Sequence, residues 1–272
     1  QSDKRLKKLF GNSSPYIGDL ENRMVLSLVN SNPVLDGAES LPQNIIEIGG
    51  MHIKDPKPIP SDIDEFLLKG KKGAVLVSFG SNFRSDEFGG KRIEEILNAF
   101  RQLPDYNFIW KFETSNMLKD MPANLMIKDW VPQNDILAHP HVKAFITHGG
   151  LLSTHEAIWH GVPMVVMPFL ADQHRNSHRL VSAGTALKVN YHTITADKLK
   201  KAIVEVQHSP KFRKNVQLQS KRFRDQPEKP LDRAVWWCEY VMRNPKANHL
   251  RQSTFNFGLL GSHFWDIQIL II

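Results

Sequence analysis

Between Gly73 and Asn190, short apolar runs of strand length alternate with stretches of helix length, and this alternation limits the fold more than any other feature of the chain. The runs are AVLVSF, NFIWKF, LMIKDW, VKAFIT, PMVVMPF and ALKVN, and KRIEEILNAFRQL, PQNDILAHP, LLSTHEAIWHG and DQHRNSHRLVSAG lie between them. Runs this continuously apolar are buried on both faces, and strand-helix repetition predicts an α/β fold with a doubly wound parallel sheet. Three more helical stretches follow, TADKLKKAIVEVQ, KFRKNVQLQSKRF and LDRAVWWCEYVMR. A chain of 272 residues with 41% hydrophobic content is long enough for one such domain and additional pieces. One of those pieces is MVLSLVNSN (Met24 to Asn32), which reads as a buried strand with no helical partner before it. The Pro-rich HIKDPKPIPSDI then reads as a linker between domains.

Chemistry-bearing residues concentrate from Trp130 to Gln173, at the strand-to-helix junctions where α/β sheets bind ligands. VKAFIT runs into His148, Gly149 and Gly150 before the helix that ends at Gly161. A strand, a glycine turn and a helix N-terminus together suit an anion, because backbone N–H groups approach it and the helix dipole favours it. Ser153 can add a hydroxyl and His148 a ring N–H. Glu156 falls one turn after Ser153, on roughly the same helix face, where a carboxylate repels phosphate but accepts bonds from a diol. Trp130 closes LMIKDW and offers a flat face for a base, with Pro132 suited to a first helical turn and Gln133 close by. PMVVMPF delivers Asp172 and Gln173, a pair suited to sugar hydroxyls, to the same sheet edge.

Each residue alone has a plainer reading. Trp130 would serve as well in a core or an interface. His148 could end a strand and Glu156 could be an ordinary helix carboxylate, while Asp172 is well placed to cap the helix that follows. Only the joint constellation favours function. The histidines at 139, 141, 155, 160, 174 and 178 lie on different elements with no cysteine partners, so no metal is expected. A single cysteine, Cys238, excludes an internal disulfide. The formal charge of +7 comes from scattered lysines and arginines with no nucleic-acid motif, which argues for a basic surface favouring an anionic small molecule and against nucleic acid.

The spacing of Trp130, Pro132, Gln133, Leu137, His139, Phe145, Thr147, His148, Gly149, Gly150, Ser153, Glu156, Gly161, Pro163, Pro168, Asp172 and Gln173 resembles the signature of the UDP-glycosyltransferases. The resemblance extends from about Leu6 to about Arg251, and HGGLLST with GGMHI is most similar to insect members. It implies the C-terminal half of a two-domain GT-B glycosyltransferase, with a Rossmann-like sheet holding a UDP-sugar. On that resemblance residues 1–50 are a remnant of an N-terminal acceptor domain and 51–72 an interdomain linker. Residues 73–250 are then the UDP-sugar domain with its C-terminal helices, and 251–272 a divergent apolar tail. Trp130 is expected to stack on uracil, and Gln133 and Glu156 to hold uridine and ribose. His148, Gly149, Gly150 and Ser153 would hold the diphosphate, with Ser81 of FGSN as a further contact, and Asp172 with Gln173 would hold the sugar. Leu151 and Leu152 replace the Trp and Asn of plant members, so those contacts do not transfer.

The family transfers a hexose, glucose or glucuronic acid, to small lipophilic acceptors with inversion, without metal or other cofactor. Its general base belongs to the N-terminal domain, so the chain alone is expected to be inactive. The second reading is a non-catalytic UDP-sugar-binding module that forms dimers with family members and regulates them; a third and weaker one, a nucleotide-sugar epimerase, fits the WxPQ and DQ elements poorly. The family's animal members sit on the lumenal side of the endoplasmic reticulum membrane. Here the opening at Gln1 reads as that of a fragment, with no signal peptide, and GLLGSHFWDIQILII, with Ser262, His263, Asp266 and Gln268, is too short and polar to span a bilayer. A truncated or misassembled gene model is the expected origin of that ending. Asn12 in NSS offers a possible N-glycosylation acceptor, in keeping with a lumenal setting.

Overall fold

The computed structural model describes residues 2–21, 23–81, 88–113, 118, 120–245 and 247–250. The expected apolar tail, 251–272, lies outside the described residues. The chain divides into two compact units, one drawn from 1–31, 38–51 and residues from 228 onward, the other from 32–37 and 52–227.

In chain order the elements are α1 (Ser2–Phe10), α2 (Ile17–Glu21), β1 (Ser27–Val29), α3 (Pro33–Asp36), β2 (Ile45–Glu47), α4 (Ser61–Leu68), β3 (Ala74–Ser78), α5 (Gly90–Arg101), β4 (Asn107–Lys111), β5 (Leu125–Lys128), α6 (Gln133–Ala138), β6 (Val142–Thr147), α7 (Leu151–Trp159), β7 (Met164–Val166), α8 (Gln173–Ser182), β8 (Ala186–Lys188), α9 (Ala196–His208), α10 (Pro210–Arg224) and α11 (Pro230–Arg243). The first unit holds α1, α2, the parallel pair β1-β2 and α11. The expected strand over Met24 to Asn32 is confined to β1, three residues long. On α11, Trp236 and Tyr240 stack at 5.2 Å, and Trp236 remains 48% exposed.

The second unit is a six-stranded, all-parallel sheet in the order β5-β4-β3-β6-β7-β8. Its inner strands β3, β4, β6 and β7 are buried on both faces, as their unbroken apolar runs require, and the edge strands β5 and β8 are partly exposed. Side chains alternate between two cores: Val75, Val77, Phe108, Trp110 and Ile146 face one side with α5 and α9. Ala74, Leu76, Ile109, Phe145, Met164 and Val166 face the other with α4, α7 and α10. This is the doubly wound Rossmann-like sheet that the alternation predicts. Strand order reverses between β3 and β6, and that reversal opens a crevice at the strands' carboxyl ends.

The stretch read as a linker has structure of its own. It contains α4, whose Ile63 and Leu67 are buried in the second core. The residues before it are hydrogen-bonded to α6 and α7: Asn134 Nδ2 donates to Lys54 O at 3.0 Å, Lys57 N to Asp135 Oδ1 at 3.1 Å, and His52 Nε2 lies 3.1 Å from Leu152 O. Among the described residues no helix is long and apolar enough to cross a membrane.

Candidate functional site

A cleft of about 700 Å³ lies at the carboxyl ends of the strands, entirely within the second unit. Ser81, Trp130, Gln133, His148, Gly150, Ser153, Glu156, Asp172 and Gln173 all line it. Gly149 does not. Its φ of +84° favours glycine, and a Cβ there would stand 2.8 Å from Ser177 Oγ, so Gly149 lets the turn pack against α8 behind the cleft.

At one end Trp130 follows β5, 70% exposed, which is not how a core tryptophan sits. Pro132 stands at the N-cap of α6 instead of in its first turn. That brings Gln133 to the start of the helix, where its Nε2 donates to Glu156 Oε2 at 2.6 Å and to Ser153 Oγ at 3.1 Å. The three side chains thus form one polar group spanning α6 and α7. Burial raises the Glu156 carboxyl above its usual range, the Gln133 amide opposes that shift, and the charge of Asp135 adds to it.

The middle of the cleft is the turn between β6 and α7. Gly150 caps α7 with no side chain, so the first-turn N–H groups of Leu151, Leu152 and Ser153 have no intrahelical partners. Beside them the His148 ring lines the crevice after β3 and β6. A Cβ on Gly80 would lie 2.9 Å from its Cε1, and one on Gly150 would collide with its Nε2. Burial pushes the His148 pKa down to about 4, against the opposing pull of Asp172, so the ring is neutral near pH 7. Thr147 Oγ1 lies 3.4 Å from its Nδ1; a hydroxyl donating there leaves Nε2 to carry the proton.

At the far end, Asp172 occupies the N-cap position of α8 in helical backbone geometry and makes no side-chain cap bond. The helix-cap reading of Asp172 is therefore not met. Its Oδ2 instead accepts from Asn176 Nδ2 at 2.9 Å. Gln173 Oε1 accepts from the backbone N–H of Phe169 at 2.8 Å and of Leu170 at 3.0 Å, which closes the loop after β7; the side-chain NH₂ of this cleft-lining residue has no hydrogen-bond partner among the described residues.

His52, Lys54 and Lys111 also line the cleft, and nothing in their local sequence singles them out. Lys111 ends β4 almost fully buried, and its ammonium donates to Glu113 Oε1 at 2.7 Å and to Gly80 O at 3.1 Å. Among the described residues no three His, Cys, Asp or Glu side chains gather as a metal site.

Residues 17–270 match the model of the family described as UDP-glucoronosyl and UDP-glucosyl transferase. The chain belongs to that family. UDP-glucosyltransferase 2 of Dactylopius coccus is 37% identical over 250 residues, covering 92% of this chain and 48% of the relative. UDP-glucuronosyltransferase 2B14 of Oryctolagus cuniculus is 40% identical over 225 residues, covering 82% and 42%. The chain thus spans about half the length of the curated relatives it matches. Among solved structures, the glycotransferase of kitacinnamycin superposes with a TM-score of 0.64 at 26% identity, over 86% of this chain and 59% of that one. An O. sativa Os79 variant solved in complex with UDP gives 0.58 at 24% identity, over 69% and 44%, a likeness of fold alone. The sheet has the Rossmann-like arrangement of GT-B glycosyltransferases.

Proposed function

We propose that the cleft binds a UDP-sugar and that the complete protein transfers the hexose to a small lipophilic acceptor with inversion. The observation that carries this reading is the order of groups along one cleft. An exposed indole stands at one end, followed by the Gln133–Glu156 pair, the open N-terminus of α7 with His148, and the Asp172–Gln173 pair. A nucleoside diphosphate sugar presents a base, a diol, two phosphates and a hydroxylated ring in that sequence. Uracil stacks on Trp130, and the free oxygen of Glu156 accepts from the ribose. The diphosphate takes the first-turn N–H groups, Ser153, Ser81 and the His148 N–H.

These donors also do chemical work. As the bond from the anomeric carbon to the diphosphate breaks, negative charge grows on the leaving oxygen, and fixed N–H groups aimed there lower the barrier without reorganising. The reading needs no metal. It assigns no general base to the cleft, because His148 faces the phosphates, and it places that base in a part of the complete protein outside this chain. The homologous glucosyl- and glucuronosyltransferases support hexose as the class of sugar.

Calorimetric titration of the purified chain with UDP and UDP-glucose, with and without a chelator, tests the binding reading. Saturable binding that survives the chelator is expected, and binding that vanishes with it would overturn metal independence. Acceptor-dependent glucoside formation by the chain alone would overturn the assignment of the base.

A further inference from the structure

Asn176 lies one turn into α8, 5% exposed, and was not singled out by the signature residues. Its Nδ2 donates both of its hydrogens, one to Gly149 O at 3.0 Å and one to Asp172 Oδ2 at 2.9 Å. The two acceptors belong to different loops, Gly149 to the turn after β6 and Asp172 to the loop after β7. Among the described residues Asn176 is the sole hydrogen-bond partner of the Asp172 carboxylate. Asp172 itself is exposed and follows Ala171, whose φ of +48° is uncommon for a residue with a side chain. Nothing else in this loop fixes the direction of the carboxylate.

We propose that Asn176 is a positioning residue that ties the Asp172 carboxylate to the glycine turn, so that the sugar and diphosphate ends of the donor site keep one spacing. The inference rests on the UDP-sugar reading of the cleft. The amide is suited to the task because it is neutral and places two donors in one plane. A carboxylate at this position would face the Gly149 carbonyl and the Asp172 carboxylate with no hydrogen to give either. A buried hydrogen bond to a charged acceptor also holds its partner more firmly than a neutral one.

A double-mutant cycle separates positioning from plain structural support. UDP-glucose and UDP are titrated calorimetrically into the chain and its Asp172→Ala, Asn176→Ala and Asp172→Ala/Asn176→Ala variants. Each single change is expected to weaken UDP-glucose about tenfold, the loss of one charge-assisted hydrogen bond. The double variant is expected to be no weaker than Asp172→Ala alone, because residues acting through one contact are not additive. UDP affinity should move less than about threefold, since UDP has no hexose for Asp172 to hold. Asn176→Asp keeps the size and loses the donors, and it should reproduce Asn176→Ala; if Asn176→Ala does not fold, Asn176→Asp and Asn176→Ser carry the same cycle. Additive losses in the double variant, or equal losses for UDP and UDP-glucose, overturn the role of Asn176 while leaving the cleft's reading intact. A wild-type chain that binds neither ligand overturns both.

Discussion

The imidazole of His148 lies so close to Gly80 that a Cβ on that glycine would stand 2.9 Å from Cε1 and 3.0 Å from Nε2. Gly80 follows β3 and His148 follows β6, the two strands between which the sheet order reverses. The ring therefore lines the crevice that this topology opens, and it fits there only because the backbone on either side, at Gly80 and Gly150, carries no side chain.

Substituting either glycine should displace the ring, and the two positions should differ in stability. Gly80→Ala meets the ring and also places a side chain at φ +83°, which costs roughly 1 to 2 kcal/mol on its own. Gly150 has an ordinary φ of −65°, so Gly150→Ala suffers the collision with the His148 ring alone, at Nε2 and Cε1. Both variants are expected to lose UDP affinity, with the larger drop in melting temperature at Gly80. Titration beside thermal unfolding checks this, and undiminished UDP binding in the folded variants would remove His148 from the phosphate site.

Trp130 gives a cleaner separation of binding from folding. A residue 70% exposed contributes little to the core, so Trp130→Ala should leave stability within about 0.5 kcal/mol. Stacking on a base is worth roughly 1 to 3 kcal/mol, so UDP should bind at least several-fold more weakly. Unchanged UDP affinity would make Trp130 a surface residue without a role in the donor site.

Much of this was legible in the sequence because the strands are short, unbroken and bounded by glycine or proline turns, so strand ends and helix starts could be placed to within a few residues. What stayed hidden depends on non-local approach. Lys111 reads as the polar end of an apolar strand, and only the fold brings its ammonium to Gly80 O. His52 and Lys54 lie in a Pro-rich stretch whose pairing with α7 and α6 crosses 100 and 80 residues of chain. SDIDEFLL does carry a local helix signal, since Ile63 and Leu67 stand four apart after Pro60, the spacing of one buried helix face. Asn176 shows only half of its role locally, because Asp172 stands four residues before it on the helix whereas Gly149 comes from a separate turn 27 residues away.

The buried histidines predict how stability responds to acid. His148, His155 and His160 all have pKa values lowered to about 4, mainly by burial, and neither ring nitrogen of His155 has a hydrogen-bond partner. An unfolded histidine takes up its proton near pH 6.5. Between about pH 6.5 and about 4 the unfolded chain therefore binds more protons than the fold, and stability should fall as the pH is lowered through that window. Glu156 acts in the opposite sense just above the usual carboxylate range, since its folded pKa is raised, but it is one group against four histidines, burial lowering His52 as well. Thermal unfolding from pH 7 to pH 5 is expected to show a steady decline. UDP should soften that decline, because an anion beside His148 favours its charged form; a midpoint that does not move would contradict the buried, neutral state of these rings.

Gln173 allows loop support and ligand contact to be separated within one side chain. Its Oε1 must be the atom facing Phe169 and Leu170, because two backbone N–H groups require an acceptor there. Gln173→Glu keeps that acceptor and replaces only the side-chain NH₂, so the loop after β7 should hold and the melting temperature should change little. UDP-glucose should nevertheless bind more weakly, by about tenfold if one sugar hydroxyl loses its donor, while UDP is nearly unaffected. Gln173→Ala removes both functions. It leaves the Phe169 and Leu170 N–H groups without their side-chain partner, and its melting temperature should fall along with UDP-glucose affinity. Thermal unfolding and paired titrations on the two variants decide the matter: if Gln173→Glu binds UDP-glucose as the unmodified chain does, the amide serves the loop alone and the hexose is held by Asp172 without it.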